Sequence, residues 1–205
     1  MTLALWLGAS YLLGAVPTSY LVARLAKGID LRQVGSRNLG STNLYRTLGW
    51  RYAIPVALFD IAKGTAPVLL FAPYAGGTLW VALVLGFAAI IGHVFSVFVR
   101  FKGGKGVATA AGVVLGLAPA PTLVAAGVWA LLVRASGYVS LGSIAAAVVL
   151  PIAVWILSPD LRPAIWLFVA LGAFVVVTHR ANIGRLLSGT ENRFGKRAVR
   201  AEGNR

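Results

Sequence analysis

Apolar residues run along this chain in blocks of about 20, the length a helix needs to cross the hydrocarbon core of a bilayer. The blocks at 3–23, 51–72, 78–99, 138–157 and 163–181 are each long enough to cross with modest tilt. Residues 106–133 are also apolar throughout, but Ala118-Pro119-Ala120-Pro121 interrupts them. The residue before each proline is steered away from helical geometry. Read as one span, this stretch brings the total to six crossings; read as two short spans broken at the prolines, it brings it to seven.

The Lys and Arg positions choose between the two counts. Arg24 and Lys27 follow the first block, whereas a cleaved secretory signal carries its positive charge before the apolar run. The first block therefore reads as a retained helix with its N-terminus outside. With seven spans, all of the 19 Lys and Arg except Lys63 (within a span) and Arg162 fall in an inner loop or the C-terminal tail, as the cytoplasmic bias of basic residues requires. With six spans, the seven basic residues from Arg180 onward would lie outside. The prediction is an all-α, polytopic integral membrane protein with seven transmembrane helices, N-terminus outside and C-terminus cytoplasmic. Residues 1–195 make a single transmembrane domain, and 196–205 a basic, disordered tail. The outer connections, 72–78, 119–121 and 158–162, are short and nearly featureless, so the polar chemistry gathers on the cytoplasmic face.

Composition agrees with this picture and narrows the function. Of 205 residues, 59% are hydrophobic and 12% charged, against about 25% charged in an average soluble domain. A net charge of +14 would suggest nucleic acid in a soluble chain. Beside apolar spans, lipid head groups and anionic substrates explain it better, so no nucleic-acid partner is expected. The absence of cysteine excludes disulfides, thiolate metal sites and a thioester-forming nucleophile, and two histidines make a poor metal centre. No cofactor and no metal are expected.

Three polar motifs interrupt the apolar pattern. The first inner loop reads Gly35-Ser36-Arg37-Asn38-Leu39-Gly40-Ser41-Thr42-Asn43, with Arg46 one helical turn beyond. Backbone N–H groups in turns, with Ser, Thr and Asn side chains, make an anion-binding concavity. An ordinary polar loop has much the same composition, but two arginines beside it favour phosphate, whose oxygens suit a guanidinium fork. The second loop, Phe101-Lys102-Gly103-Gly104-Lys105-Gly106, opens directly into Val107-Ala108-Thr109. A glycine turn entering a helix presents free N–H groups and a positive dipole end to an anion. It is not a nucleotide P-loop, which needs Ser or Thr after the Lys; Gly106 stands there.

The third motif runs Thr178-His179-Arg180-Ala181-Asn182-Ile183-Gly184-Arg185-Leu186-Leu187, then Gly189 and Glu191. On a continuing helix His179, Asn182 and Arg185 fall near one face. His179 is the stronger catalytic candidate of the two histidines, and His93, near the inner end of the third span, the weaker. Asp60 and Lys63, three residues apart within the second span, are expected to neutralise each other or a neighbouring group, either as an architectural pair or as support behind the site. Ser140 and Ser143 would donate to a ligand or merely to the backbone.

Taken together, GSRNLGSTN, the DIAKG of Asp60–Gly64, GHVFSVFVRFKGGKGVAT from Gly92 to Thr109, and HRANIGRLLSGTE from His179 to Glu191 resemble the bacterial acyl-phosphate:glycerol-3-phosphate acyltransferase family (PlsY type). The resemblance covers residues 8–195 in the same order and spacing. It implies seven transmembrane helices in a bacterial plasma membrane and transfer of a fatty acyl group from acyl phosphate to the 1-hydroxyl of glycerol 3-phosphate. The products are lysophosphatidic acid and phosphate. Where the family usually has Pro, this chain has Ser96. By this resemblance and the motif chemistry, the candidate catalytic residues are Lys105, His179, Asn182 and Ser36. The candidate substrate-binding residues are Gly35, Asn38, Gly40, Ser41, Thr42, Asn43, Arg46, Gly103, Gly104, Gly106 and Ser143.

The chemistry fits the residues independently of the family. Two phosphorylated substrates need two anion pockets more than a protein nucleophile, and acyl phosphate is already activated. The His-x4-Asp dyad of the other large acyltransferase class is absent at both His93 and His179, which argues against acyl-CoA. A phosphate or organic-anion transporter is the rival reading, but transporters place their sites at the midplane between repeats. Here the motifs share one membrane face and no repeat is evident. A non-catalytic lipid-binding protein would explain the basic tail but not three glycine-bearing motifs. The protein is expected to act as a monomer in the bilayer.

Overall fold

The structure is a computed structural model that describes residues 2–194; the expected basic tail, 196–205, lies outside the described residues. Every regular element among the described residues is helical: α1 (Leu3–Ala15), α2 (Thr18–Lys27), α3 (Ser41–Leu48), α4 (Trp50–Ala66), α5 (Ala72–Ala75), α6 (Leu79–Val94), α7 (Val107–Leu117), α8 (Pro119–Ser136), α9 (Val139–Leu157), α10 (Ile165–Thr178) and α11 (Arg180–Leu187). A wide π turn at Pro67–Phe71 joins α4 to α5, and a 3-10 stretch at Pro159–Ala164 leads into α10.

Five of these stretches are long and apolar enough to cross a membrane: Trp50–Ala75, Leu79–Val99, Pro119–Ser136, Val139–Leu157 and Pro159–Thr178. The block expected at 3–23 is not one straight helix. Helices α1 and α2 meet at a 41° bend and together make a sixth, broken candidate span. Pro17 causes the bend, because it has no N–H to continue the helical ladder. At the bend the Val16 carbonyl accepts hydrogen bonds from the Thr18 N–H at 3.0 Å and from Lys63 Nζ at 3.0 Å. The block at 106–133 divides at Ala118, as its prolines predict. Pro119 opens α8, where its missing N–H would be unpaired anyway. At 11 residues, α7 is roughly half the thickness of a hydrocarbon core.

In lipid, helices are held by close packing rather than by escape from water, so small residues let backbones approach. The pairs α1/α6, α4/α7, α8/α9 and α9/α10 pack side by side. Between α4 and α7 the contact is reciprocal: a methyl added at Gly64 would overlap the Thr109 carbonyl, and one at Gly112 the Ile61 carbonyl. Backbone cannot swing aside as a side chain can. Gly112→Val is therefore expected to destabilise the bundle by about 1–3 kcal/mol or more, read as a lowered melting temperature in detergent.

Buried polar groups tie the bend to its neighbours. Lys63 Nζ and Asp60 Oδ1 are 2.7 Å apart, with both side chains almost wholly buried, so the two charges neutralise each other as expected. Thr18 Oγ1 adds a hydrogen bond to Asp60 at 3.3 Å. Ser96 donates its hydroxyl to the Ala15 carbonyl at 2.5 Å. Nearby, Tyr11 donates to the Phe95 carbonyl at 2.8 Å. The end of α6 is thereby fixed to the bend in α1, and the loop that follows α6 starts from a defined place.

Candidate active site

The loop between α2 and α3 is organised from inside by Asn43. Its amide nitrogen donates to the carbonyls of Leu31, Val34 and Asn38 at 3.0–3.2 Å, and its oxygen accepts from the Ser36 N–H at 3.0 Å. Asn43 is thus occupied in shaping the loop rather than free for a ligand. Asn38 Oδ1 accepts from the Gly40 N–H at 2.9 Å, leading the chain into α3. Arg46, on the buried face of α3, donates from Nη2 to the Asn192 carbonyl at 2.9 Å. Its buried Nε has no partner among the described residues.

The second loop places Lys105 against the third motif. Its ammonium donates to Asn182 Oδ1, and Thr178 Oγ1 reaches the Lys105 carbonyl at 3.4 Å. Gly106, with φ +79°, turns the chain into α7 without any side-chain cap. The first N–H groups of α7 are left for whatever occupies the adjoining space. Burial pushes the Lys105 ammonium down to about 8, with Arg185 and Arg46 acting in the same direction and Glu191 opposing.

The helix expected to continue through His179 breaks there. The Val175 carbonyl accepts from the His179 N–H, from Thr178 Oγ1 at 2.8 Å and from His179 Nδ1 at 2.8 Å. Side chains compete with the ladder at that point, and α11 restarts at Arg180. His179, Asn182 and Arg185 therefore do not share one continuous helix. A carbonyl only accepts, so Nδ1 carries the proton of the neutral ring, which leaves Nε2 as an acceptor.

Glu191, for which the motif pattern alone suggests no role, is the hub of the third motif. Its Oε1 accepts from Asn182 Nδ2 at 2.7 Å and Ser140 Oγ at 3.0 Å. Its Oε2 accepts from Arg185 Nε at 2.7 Å. Scarcity was the available signal: the chain has 5 acidic residues against 19 basic ones, so an acid inside a polar motif has a cation to hold. Farther along, Phe194 stacks on Tyr45 with ring centroids 4.5 Å apart.

These groups surround one cavity of about 540 Å³, within the range of small-molecule sites. Of the predicted residues, Ser36, Asn38, Gly40, Ser41, Thr42, Asn43, Arg46, Lys105, Gly106, Ser143, His179 and Asn182 line it. Gly35, Gly103 and Gly104 do not. The Ser143 hydroxyl is turned back onto its own helix, donating to the Val139 carbonyl at 2.9 Å. Away from the polar end the wall becomes apolar, with Ile61, Val114, Trp129, Leu150, Leu171 and Val175 among its residues. Among the described residues no cluster of His, Asp or Glu is suited to a metal.

The family model for glycerol-3-phosphate acyltransferase matches residues 4–189. The chain belongs to the glycerol-3-phosphate acyltransferase family. Members of that family from Trichlorobacter lovleyi and Geobacter sulfurreducens are 48% and 45% identical over 191 and 186 residues. These alignments cover 92% and 90% of this chain and 96% and 94% of the relatives. A crystal structure of PlsY (YgiH), an integral membrane glycerol 3-phosphate acyltransferase, in its glycerol 3-phosphate form superposes with a TM-score of 0.87 at 39% identity. That match covers 94% of this chain and 96% of the other. The lysophosphatidic acid form gives 0.84 at 36% identity, covering 95% and 96%. As a glycerol-3-phosphate acyltransferase, this chain is an integral membrane enzyme, and the transporter and lipid-binding readings lapse.

Proposed function

We propose that the enzyme transfers a fatty acyl group from acyl phosphate to the 1-hydroxyl of glycerol 3-phosphate, giving lysophosphatidic acid and phosphate. The observation that carries this reading is one cavity whose lining joins Arg46, Lys105 and the start of α7 to a largely apolar wall of helix residues. That division matches a small phosphate ester meeting a long acyl chain. Arg46, Lys105 and the first N–H groups of α7 hold phosphate oxygens, with Ser36, Thr42 and the backbone of the first loop completing the cradle. His179 Nε2 and Asn182 orient the glycerol hydroxyl. That hydroxyl oxygen attacks the acyl carbonyl carbon, the bond from that carbon to the phosphate oxygen breaks, and the hydroxyl proton passes to a phosphate oxygen. No protein nucleophile is needed, because positioning and stabilisation of the departing phosphate supply the acceleration.

The donor assignment rests on the small phosphate cradle, the cysteine-free chain and the missing His-x4-Asp dyad. With glycerol 3-phosphate and donors of equal chain length, purified protein is expected to form lysophosphatidic acid from palmitoyl phosphate and far less from palmitoyl-CoA. Equal turnover with both would reject the assignment.

For topology, the proposal is seven crossings, with α7 and α8 as a short and a long member of a broken pair. The N-terminus is outside, and the site and C-terminus are cytoplasmic at a bacterial plasma membrane, with the enzyme acting as a monomer. The distribution of Lys and Arg supports the crossing count and the orientation. Single cysteines placed at Ser158 and Ser188 are expected to give labelling by an impermeant thiol reagent on intact cells at 158 only; labelling at 188 alone would reverse the orientation.

A further inference from the structure

Two of the three glycines around Lys105 do not line the cavity, and both lie instead against His93. The carbonyls of His93 and Val94 accept hydrogen bonds from the N–H groups of Gly104 at 3.1 Å and Gly103 at 2.9 Å. A methyl at Gly103 would overlap those same two carbonyls. A methyl at Gly104 would overlap Nε2 of the His93 ring. The ring in turn has the buried ion pair behind it: His93 Nδ1 is 3.9 Å from Asp60 Oδ1, and Asp60 is bonded to Lys63. His93 also borders the cavity. The line from the bend in α1 to the ammonium of Lys105 is therefore continuous: the Val16 carbonyl, Lys63, Asp60, the His93 ring, Gly104 and Lys105.

We propose that His93 is a positioning residue for Lys105, its ring and carbonyl together fixing the height and direction of the Gly103–Gly106 turn. On this account Gly103 and Gly104 are glycine to admit the end of α6, not to admit a ligand. Close packing transmits displacement at such a contact because there is no free volume to absorb it. A 1 Å error at Lys105 is enough to lower the rate strongly. The catalytic readout rests on the proposed acyl transfer; the contact itself does not.

Two double-mutant cycles test it on purified protein, with kcat, both KM values and melting temperature measured for each member. In the first, Gly104→Ala is expected to lower kcat/KM at least tenfold and to lower the melting temperature. Adding His93→Ala should restore at least threefold of the activity and raise the melting temperature, because the clash is removed. In the second, His93→Ala alone should lower kcat/KM at least fivefold, yet have less than a twofold further effect in a Lys105→Met background. If His93→Ala does not fold, His93→Asn replaces it in both cycles. Losses that simply multiply in the two cycles would overturn the proposal. Coupling seen in melting temperature but not in kcat/KM would also overturn it, leaving a packing contact only. A wild-type protein that melts cooperatively but forms no lysophosphatidic acid would reject the acyl-transfer reading. The melting temperatures of the first cycle would still decide whether the ring and Gly104 touch.

Discussion

Lys105→Met is expected to leave the bundle folded and to lower kcat/KM by between about tenfold and a hundredfold. Methionine keeps the length and apolar stem of lysine while removing the charge and the donor to Asn182. A hydrogen bond to a charged group is worth about 1.5–3 kcal/mol, and each 1.4 kcal/mol is a factor of about ten in rate. The loss should fall on kcat more than on KM if the ammonium stabilises the departing phosphate, because that charge develops only as the bond breaks. Wild-type turnover in a well-folded Lys105→Met protein would remove the residue from the mechanism.

The same residue sets a pH limit. Burial holds Lys105 at about 8, so it is charged below that value and loses its proton as the pH rises through it. The value of kcat/KM, which reports the free enzyme, is expected to fall above pH 8 by about tenfold per unit. A bound phosphate dianion favours the ammonium, so the corresponding limb of kcat should lie at higher pH. Phosphate esters reach the dianion above about pH 6, which places the best activity between these limits.

Glu191→Gln is expected to lower kcat/KM at least tenfold and to lower the melting temperature, although Glu191 need touch neither substrate. The carboxylate accepts from three donors, on Ser140, Asn182 and Arg185. Glutamine offers one oxygen and turns an NH2 toward the others, setting donor against donor. A buried group left unpaired costs about 1–3 kcal/mol. Arg185 is 34% exposed and can turn to water, so the damage concentrates on Asn182 and through it on Lys105. Because the Glu191 charge raises the Lys105 value, the alkaline limb of kcat/KM should move below pH 8 in this variant. A limb that stays in place would show that the carboxylate acts on stability alone.

Runs of apolar residues and the placement of basic ones were legible along the chain because they depend on solvent, not on neighbours. A membrane rewards about 20 apolar residues in a row. Proline breaks a helix by its own geometry, so the division at Ala118 was predictable. The bend at Pro17 obeys the same rule but hides within an apolar block long enough to read as one helix. The three polar motifs, the pairing of Asp60 with Lys63 and the cationic end of the cavity were likewise local, since an ionised group inside a bilayer must be paired or used.

What needed the tertiary structure was which groups meet across distance and which are already engaged. Asn43 looked like a ligand donor in sequence, but its four bonds are spent on its own loop. Gly103 and Gly104 looked like a phosphate cradle, yet they face His93. Glu191 lies 51 residues from Ser140, and Asn182 lies 77 from Lys105; no spacing along one element relates them. The sequence by itself determined the solvent, the elements and the types of chemistry on offer, because those follow from each residue's own size, charge and backbone freedom. Only the packing of α4 against α6 and of α9 against α11, with the loops they hold, decided which hydrogen-bonding valences remain for a substrate, because a valence is free only when no neighbour has filled it.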